Sequence, residues 1–329
     1  MAQTRPQLPT ETVTHAESQY ELGAGIAGFE AEAADELAGA HATSPWAAAR
    51  QRFLRNKAAT VALCVLCILF FMAIFAPFMH TADPIRPDFT AINQGPTGQH
   101  WLGADPLGRD IYSRLVYGLR VPFITALLGC LVTVLLGTML GVVAGFAGGG
   151  IDFGLSRLTD FVFAFPGFVL ALIVVSFFGP ALDPYFGGAG RVLLLSMVFA
   201  FVSWPGLMRF VRSLALQLKE QQFVEAARVY GGTDRTIVMR HLLPNIWGLI
   251  LVQASFIAIG LISIEAVLSI LGLGVQAPNP DLGAILNEGV QHMALNGWEV
   301  FFPALVLTIL ILSFTFVGDG LRDAIDPRD

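Results

Sequence analysis

The sequence predicts an all-α integral membrane protein of six transmembrane helices, with a charged helix–turn–helix insert between the fourth and the fifth. Three observations carry that prediction. Hydrophobic residues make up 55% of the chain and charged residues 13%, with a mean hydropathy of +0.66; a soluble domain carries roughly 25% charged residues. Six apolar runs approach the roughly 20 residues that a helix needs to cross a hydrocarbon core about 30 Å thick. The stretch FVEAARVYGGTDRTIVMRHLLPN, Phe223–Asn245, breaks that pattern with a cluster of charges. The formal net charge of −6 is modest and carries no footprint of nucleic-acid binding.

The first 45 residues set seven acidic side chains from Glu11 to Glu36 against a single Arg5. They lack the basic start and apolar middle of a signal peptide and read as a poorly ordered acidic tail, although AEAADELAGA can form a short helix. Residues 46–57 are basic, with Arg50, Arg52, Arg55 and Lys57, and lead into a membrane region over 58–318 and a short tail over 319–329.

The spans are Ala58–Met79, Val121–Phe146, Phe161–Phe178, Val192–Val211, Ile246–Leu273 and Val300–Val317. Lys and Arg near span ends set orientation. The basic segment before the first span places the N-terminus in the cytoplasm, and six crossings return the C-terminus there. The loop after the fourth span, with Arg212, Lys219, Arg228, Arg235 and Arg240, also falls inside, while Gly274–Glu299 has acids but no Lys or Arg and falls outside. The first loop is indecisive, because Arg86, Arg109, Arg114 and Arg120 balance four aspartates.

Cys64 and Cys67 have the spacing of a redox or metal pair, but they sit in an apolar run where cysteine acts as a small hydrophobe. The six histidines are scattered without a His-Glu-x-x-His, so no metal site is expected. Gly and Pro crowd the spans in GFAGGGIDFG, FAFPGF, SWPG and LGLG. Small residues permit close helix contact in lipid, and both residues permit kinks.

Within the insert, Phe223–Tyr230 suits a helix and Gly231-Gly232 ends it, since glycine takes the left-handed conformation of a helix terminus. Thr233 or Asp234 can cap a second short helix over Arg235–Leu242, and Pro244 disfavours helical geometry at Leu243 before opening the fifth span. Ala226 and Ala227 offer a low surface on which another protein can sit, while Phe223, Val229 and Tyr230 either bury on the spans or meet that partner. A self-contained connector is the alternative.

Glu225-Ala226-Ala227, Gly231 six residues after the glutamate, and Leu243-Pro244 resemble the EAA loop of ABC importer permeases, with His241 where that family has Ile. LGADPLGRDIYSRLVYGLR, EAVLSILGLGVQAPNPDLGAIL and FVGDGLRDAIDPR narrow the resemblance to the C-type subunit of dipeptide, oligopeptide and nickel permeases. It covers most of the chain from Arg50 onward. The resemblance implies a type I-like importer fold, with the loop over 212–245 forming coupling helices that seat in an ATPase subunit. It also implies a B-type permease partner, two ABC ATPase subunits that hold ATP and magnesium, an extracytoplasmic solute-binding protein, and a bacterial inner membrane location. Cofactors and catalytic residues are expected to be absent from this chain, which has no Gly-x-x-x-x-Gly-Lys-Ser/Thr loop.

Each motif also has a structural reading. Ile111, Leu115 and Leu119 fall on one helical face, as in an amphipathic helix lying at the membrane surface; contact with the binding protein is the functional option. Glu265 is the carboxylate deepest in a span, where a charge costs about 2.5–3.5 kcal/mol. It either bonds to a neighbouring helix or sits beside the solute route. As a proton relay it would support a rival mechanism, a proton-coupled secondary transporter, although no internal repeat accompanies it. A permease for nickel chelates or glutathione-like solutes is a further alternative.

Overall fold

A computed structural model describes residues 45–186, 188–294 and 296–325. The acidic segment therefore lies outside the described residues, apart from Pro45. The chain divides into two units, residues 1–51 and 52–329. Of the first, only the opening of one helix is described; the second holds the whole membrane region.

Helix α1 (Pro45–Arg55) ends at Asn56, whose extended backbone turns the chain and whose side chain accepts from the Ala59 amide at 3.2 Å, capping α2 (Lys57–Ile74). The first span is shorter than expected. Phe75 leaves helical geometry, and α3 (Ala76–Met79) follows as a separate turn because Pro77 cannot donate to the preceding turn. The loop to residue 110 leads into α4 (Ile111–Gly118) and then, almost without pause, α5 (Arg120–Ala147). The third span also differs from expectation. It is α7 (Gly167–Phe186), and the run FAFPGF separates it from a preceding helix, α6 (Gly149–Phe163), since Pro166 removes an amide and disfavours α geometry before it. Helix α8 (Gly188–Lys219) is the fourth span, extended at both ends. The insert comes next, then α11 (Leu243–Ile270), the short helix α12 (Leu282–Gln291) and α13 (Trp298–Ile325), which carries the sixth span into what reads as a tail in sequence. Six helical segments are long and apolar enough to cross a membrane, and no strand occurs among the described residues.

The most extensive helix pair is α5 with α8, and its closeness has a sequence cause. Gly137, Gly141 and Gly145 recur every four residues along one face of α5. A Cβ at Gly141 would stand 2.6 Å from the Met208 carbonyl oxygen, and one at Gly145 2.7 Å from Ala215 Cβ. Only glycine lets the two backbones approach so far, the small-residue packing that substitutes for a hydrophobic driving force in lipid.

At the end of the bundle opposite the insert, charge is buried rather than displayed. Asp105, wholly buried, accepts from Arg109 Nε and Arg114 Nη1 at 2.6 Å each, and both arginines reach Glu288 of α12, at 2.7 and 2.9 Å. Asp110 caps α4 through the Ser113 amide at 2.8 Å and accepts from Thr81 Oγ1 at 2.7 Å. The apolar face of α4 lies against protein: Ile111, Leu115 and Leu119 pack with Leu282 and Ile285 of α12 and Leu307 and Leu310 of α13. The helix is thus an internal wedge, not the surface-lying element its amphipathic pattern suggested, because α12 and α13 supply the apolar partner that a membrane surface would otherwise provide.

Candidate functional site: the insert between the fourth and fifth spans

Helix α9 (Gln222–Val229) is short and two-faced. Val224 points inward, fully buried, into a cluster with Val142 and Phe146 of α5 and Val211 and Ala215 of α8. Glu225 and Ala226 are exposed and Ala227 is half-buried. Val229 and Tyr230 are 81% and 91% exposed, apolar surface that nothing among the described residues covers. Of the apolar trio, then, Phe223 at 39% is the most sheltered and the other two face outward.

The helix stops as its sequence requires. Gly231 takes φ +79°, its amide bonds the Arg228 carbonyl at 2.9 Å, and the Gly232 amide bonds the Ala227 carbonyl at 2.9 Å. This pair of bonds is the Schellman end. A Cβ on Gly232 would lie 2.7 Å from the Ala227 oxygen, so both glycines are needed, the first for its dihedral and the second for space.

Thr233 supplies the next cap, accepting from the Thr236 amide at 3.3 Å. The second half of the insert departs from the sequence expectation. Helix α10 (Asp234–Ile237) passes into a π turn, Val238–Leu242, and this continues directly into α11. Leu243 is helical, at φ −57° and ψ −46°, despite preceding Pro244. The wider turn accommodates the proline: the Leu243 amide reaches back five residues to Val238, and the Asn245 side chain donates to the His241 carbonyl at 2.7 Å. The insert is therefore one free helix, α9, followed by a continuous extension of the fifth span.

Two residues that sequence reasoning missed root this extension. Ile237 and Leu242 are wholly buried in the same cluster as Val224. Their signal was present, as apolar residues inside a charged stretch. Lys219 at the end of α8 donates to the Phe146 carbonyl at 2.8 Å, and the Arg228 guanidinium lies 5.6 Å from the Phe146 ring centre. Nearby, Arg212 of α8 forms a two-point ion pair with Asp152 of α6, holding that carboxyl below its usual range. Displacing α9 thus displaces α5, α8 and α11 together.

Glu225, Ala226, Ala227 and Gly231 sit together around α9, while Leu243 (half-buried) and Pro244 (exposed) lie beyond the π turn. Glu265 is elsewhere, 22 residues up α11 from Leu243 and so about 33 Å away along the axis. It is 1% exposed. Its partner, which sequence reasoning missed although it stands one turn further along the same helix, is Ser269, whose hydroxyl reaches Glu265 at 3.2 Å and also bonds Asp281 at the start of α12. Burial pushes the Asp281 carboxyl up to about 6, against the hydrogen bonds it accepts. The backbone closes tightly over this group, since a Cβ at Gly283 would run into Ser269. Asp105, Glu288 and Glu299 also converge, with carboxylate oxygens within 4.8 Å of one another. The arginines that already bond the first two make that cluster an ion-pair network more readily than a metal centre.

Known proteins match this chain along nearly its whole described length. Residues 137–328, more than half of it, fit the family described as binding-protein-dependent transport system inner membrane component. Residues 44–96 fit the N-terminal TM domain of oligopeptide transport permease C. Relatives include the oligopeptide transport system permease protein OppC of Haemophilus influenzae, 36% identical over 288 residues, 87% of this chain and 89% of that one. The dipeptide transport system permease protein DppC of Alkalihalophilus pseudofirmus is also 36% identical, covering 87% and 91%. The glutathione transport system permease protein GsiD of Pectobacterium atrosepticum is 38% identical over 287 residues, covering 87% and 92%. Among solved structures, the MetNI methionine ABC transporter aligns at a TM-score of 0.47 and 21% identity, over 66% of this chain and 94% of that chain. The family matches, not that structural likeness, decide the matter: the chain belongs to the binding-protein-dependent transport system inner membrane components, the permease subunits of ABC transporters, and carries the N-terminal membrane domain of the permease C branch.

Proposed function

We propose that this chain forms half of the translocation pathway of an ATP-driven importer for di- and oligopeptides, and that α9 is where the motion of a separate ATPase enters it. The observation that carries the coupling role is the division of labour on α9: Val224 is locked into the core shared by three spans while Glu225, Ala226, Val229 and Tyr230 stand free. In this reading the insert end and both termini face the cytoplasm of a bacterial inner membrane. A B-type permease completes the pore, two ABC ATPases bind ATP and magnesium, and a binding protein delivers solute from outside. ATP closes the ATPases, draws α9 with them, and the spans rock as near-rigid bodies. Relatives named for oligopeptides, dipeptides and glutathione support a peptide-like solute, with a glutathione-like compound as the second candidate.

Glu225→Arg and Gly231→Pro are expected to abolish uptake coupled to ATP hydrolysis while leaving membrane insertion intact; unchanged uptake counts against docking at α9. Glu265→Gln separates this reading from proton coupling. Buried beside Ser269 and Asp281, it should alter transport only modestly here, whereas a relay loses transport altogether.

A further inference from the structure

A groove of about 480 Å³ runs between α2 and α13, walled by Val61 and Val65 on one side and Leu312 and Phe316 on the other, with Lys57 at its mouth. Its walls are apolar and lie at membrane depth, where water finds no polar partners. The mouth is different. Lys57, and Arg55 two residues before it, are exposed, and among the described residues neither side chain has a hydrogen bond or ion pair. Lys57 and Ala58 also open α2. Asn56 takes the Ala59 amide through its side chain and the Thr60 amide through its carbonyl, so the two amides before them have no helical acceptor. That is a setting for a phosphate.

The groove side of the facing helix carries the other sign, with Arg322 turned away from it by helical register. Asp319 and Asp323 follow Phe316 by three and seven residues, which places them on the groove's side of α13 by helical register. Both are exposed. Gly320, between them, packs against Ala59 and brings this part of α13 to the first turn of α2. A purely anionic headgroup meets repulsion from the two carboxylates, whereas one with both a phosphate and an ammonium meets complementary charge on each side.

We propose that this groove is a binding site for one ammonium-bearing phospholipid, its acyl chains between Val61, Val65, Leu312 and Phe316 and its phosphate at Lys57 and the amides that open α2. The test is native mass spectrometry of the full-length chain, purified with its associated subunits from membranes of equal phosphatidylethanolamine and phosphatidylglycerol content. The wild type is expected to retain one phosphatidylethanolamine in preference to phosphatidylglycerol. Lys57→Gln should reduce retention about fivefold, the ratio set by one basic residue at a lipid surface. Val65→Trp should remove the lipid by filling the groove without touching charge. Equal retention of the two lipids, a wild type that retains none, or retention unchanged in both variants overturns the proposal. So does a cross-link from Val61→Cys to a second subunit in place of bound lipid.

Discussion

The two ends of the bundle handle charge in opposite ways. At the end far from the insert, Arg109 and Arg114 are buried and neutralised by Asp105 and Glu288, and the network ties the loop after α3 to α12. At the insert end the anchors are apolar, Val224, Ile237 and Leu242, and the charges of α9 stand outside. A buried network of paired charges is costly to rearrange and makes a fixed platform. An apolar root with a face that nothing among the described residues covers suits the handle proposed above, because it moves with the helices it is set in. The same contrast explains why counting basic residues is indecisive in the first loop. Arg109 and Arg114 are committed to internal pairs, and Arg120 donates to the Ala73 carbonyl at 2.7 Å, so these three are not free charges that could report on sidedness.

This contrast predicts unequal consequences. Arg114→Leu should be the most damaging change, since it leaves Asp105 with one fewer cation in a buried site; breaking such a pair costs about 3–5 kcal/mol. Thermal unfolding in detergent should show the loss, and a small shift would mean that the buried network is not the rigid element. Gly141→Ala comes next. Forcing a Cβ against the Met208 carbonyl should cost about 1–3 kcal/mol by overpacking, read in the same assay, and Gly150→Ala, where a Cβ meets nothing, is the control.

Val224→Ala should then cost about 1–2 kcal/mol of stability but depress transport disproportionately, because it loosens the handle. Equal losses in the two readouts would reduce α9 to a structural connector. The smallest effect is a pH dependence at the end far from the insert. Asp281 binds its proton more tightly in the folded chain, at about 6, than its ordinary value of 3.8. The folded state therefore holds the extra proton between those values, and its stability falls as pH rises through that window, then levels off. Asp281→Asn should flatten the melting temperature between about pH 4 and 7, and an unchanged slope would assign it to another group.

Much of this was legible in sequence because membrane helices announce themselves by length and hydropathy. Gly231-Gly232 also ends α9 where the dihedral and space requirements say it must. What escaped were features that depend on a distant partner. The π turn before Pro244 forms because the buried Ile237 and Leu242 keep the chain helical, overriding the local preference at Leu243. The break at Pro166, between α6 and the third span, is local, but an apolar run on both sides conceals it from a hydropathy reading. Ser269, one turn along α11 from Glu265, was within reach of helical spacing. Asp281, which joins that pair through Ser269, and α12, which covers the apolar face of α4, approach only after the chain has turned back. No pattern within one segment encodes those meetings.

Whether the exposed face of α9 receives a separate ATPase can be read by cysteine cross-linking from Ala226→Cys. Cys64, Cys67 and Cys130 are replaced by serine or alanine, and the membranes contain all subunits of the transporter. A handle on α9 should give an adduct with the ATPase subunit whose yield changes when ATP is added, and no such adduct from a cysteine at Ser213, on the side of α8. An ATPase adduct from the α8 position with none from Ala226 would place the contact elsewhere and remove α9 from the coupling path.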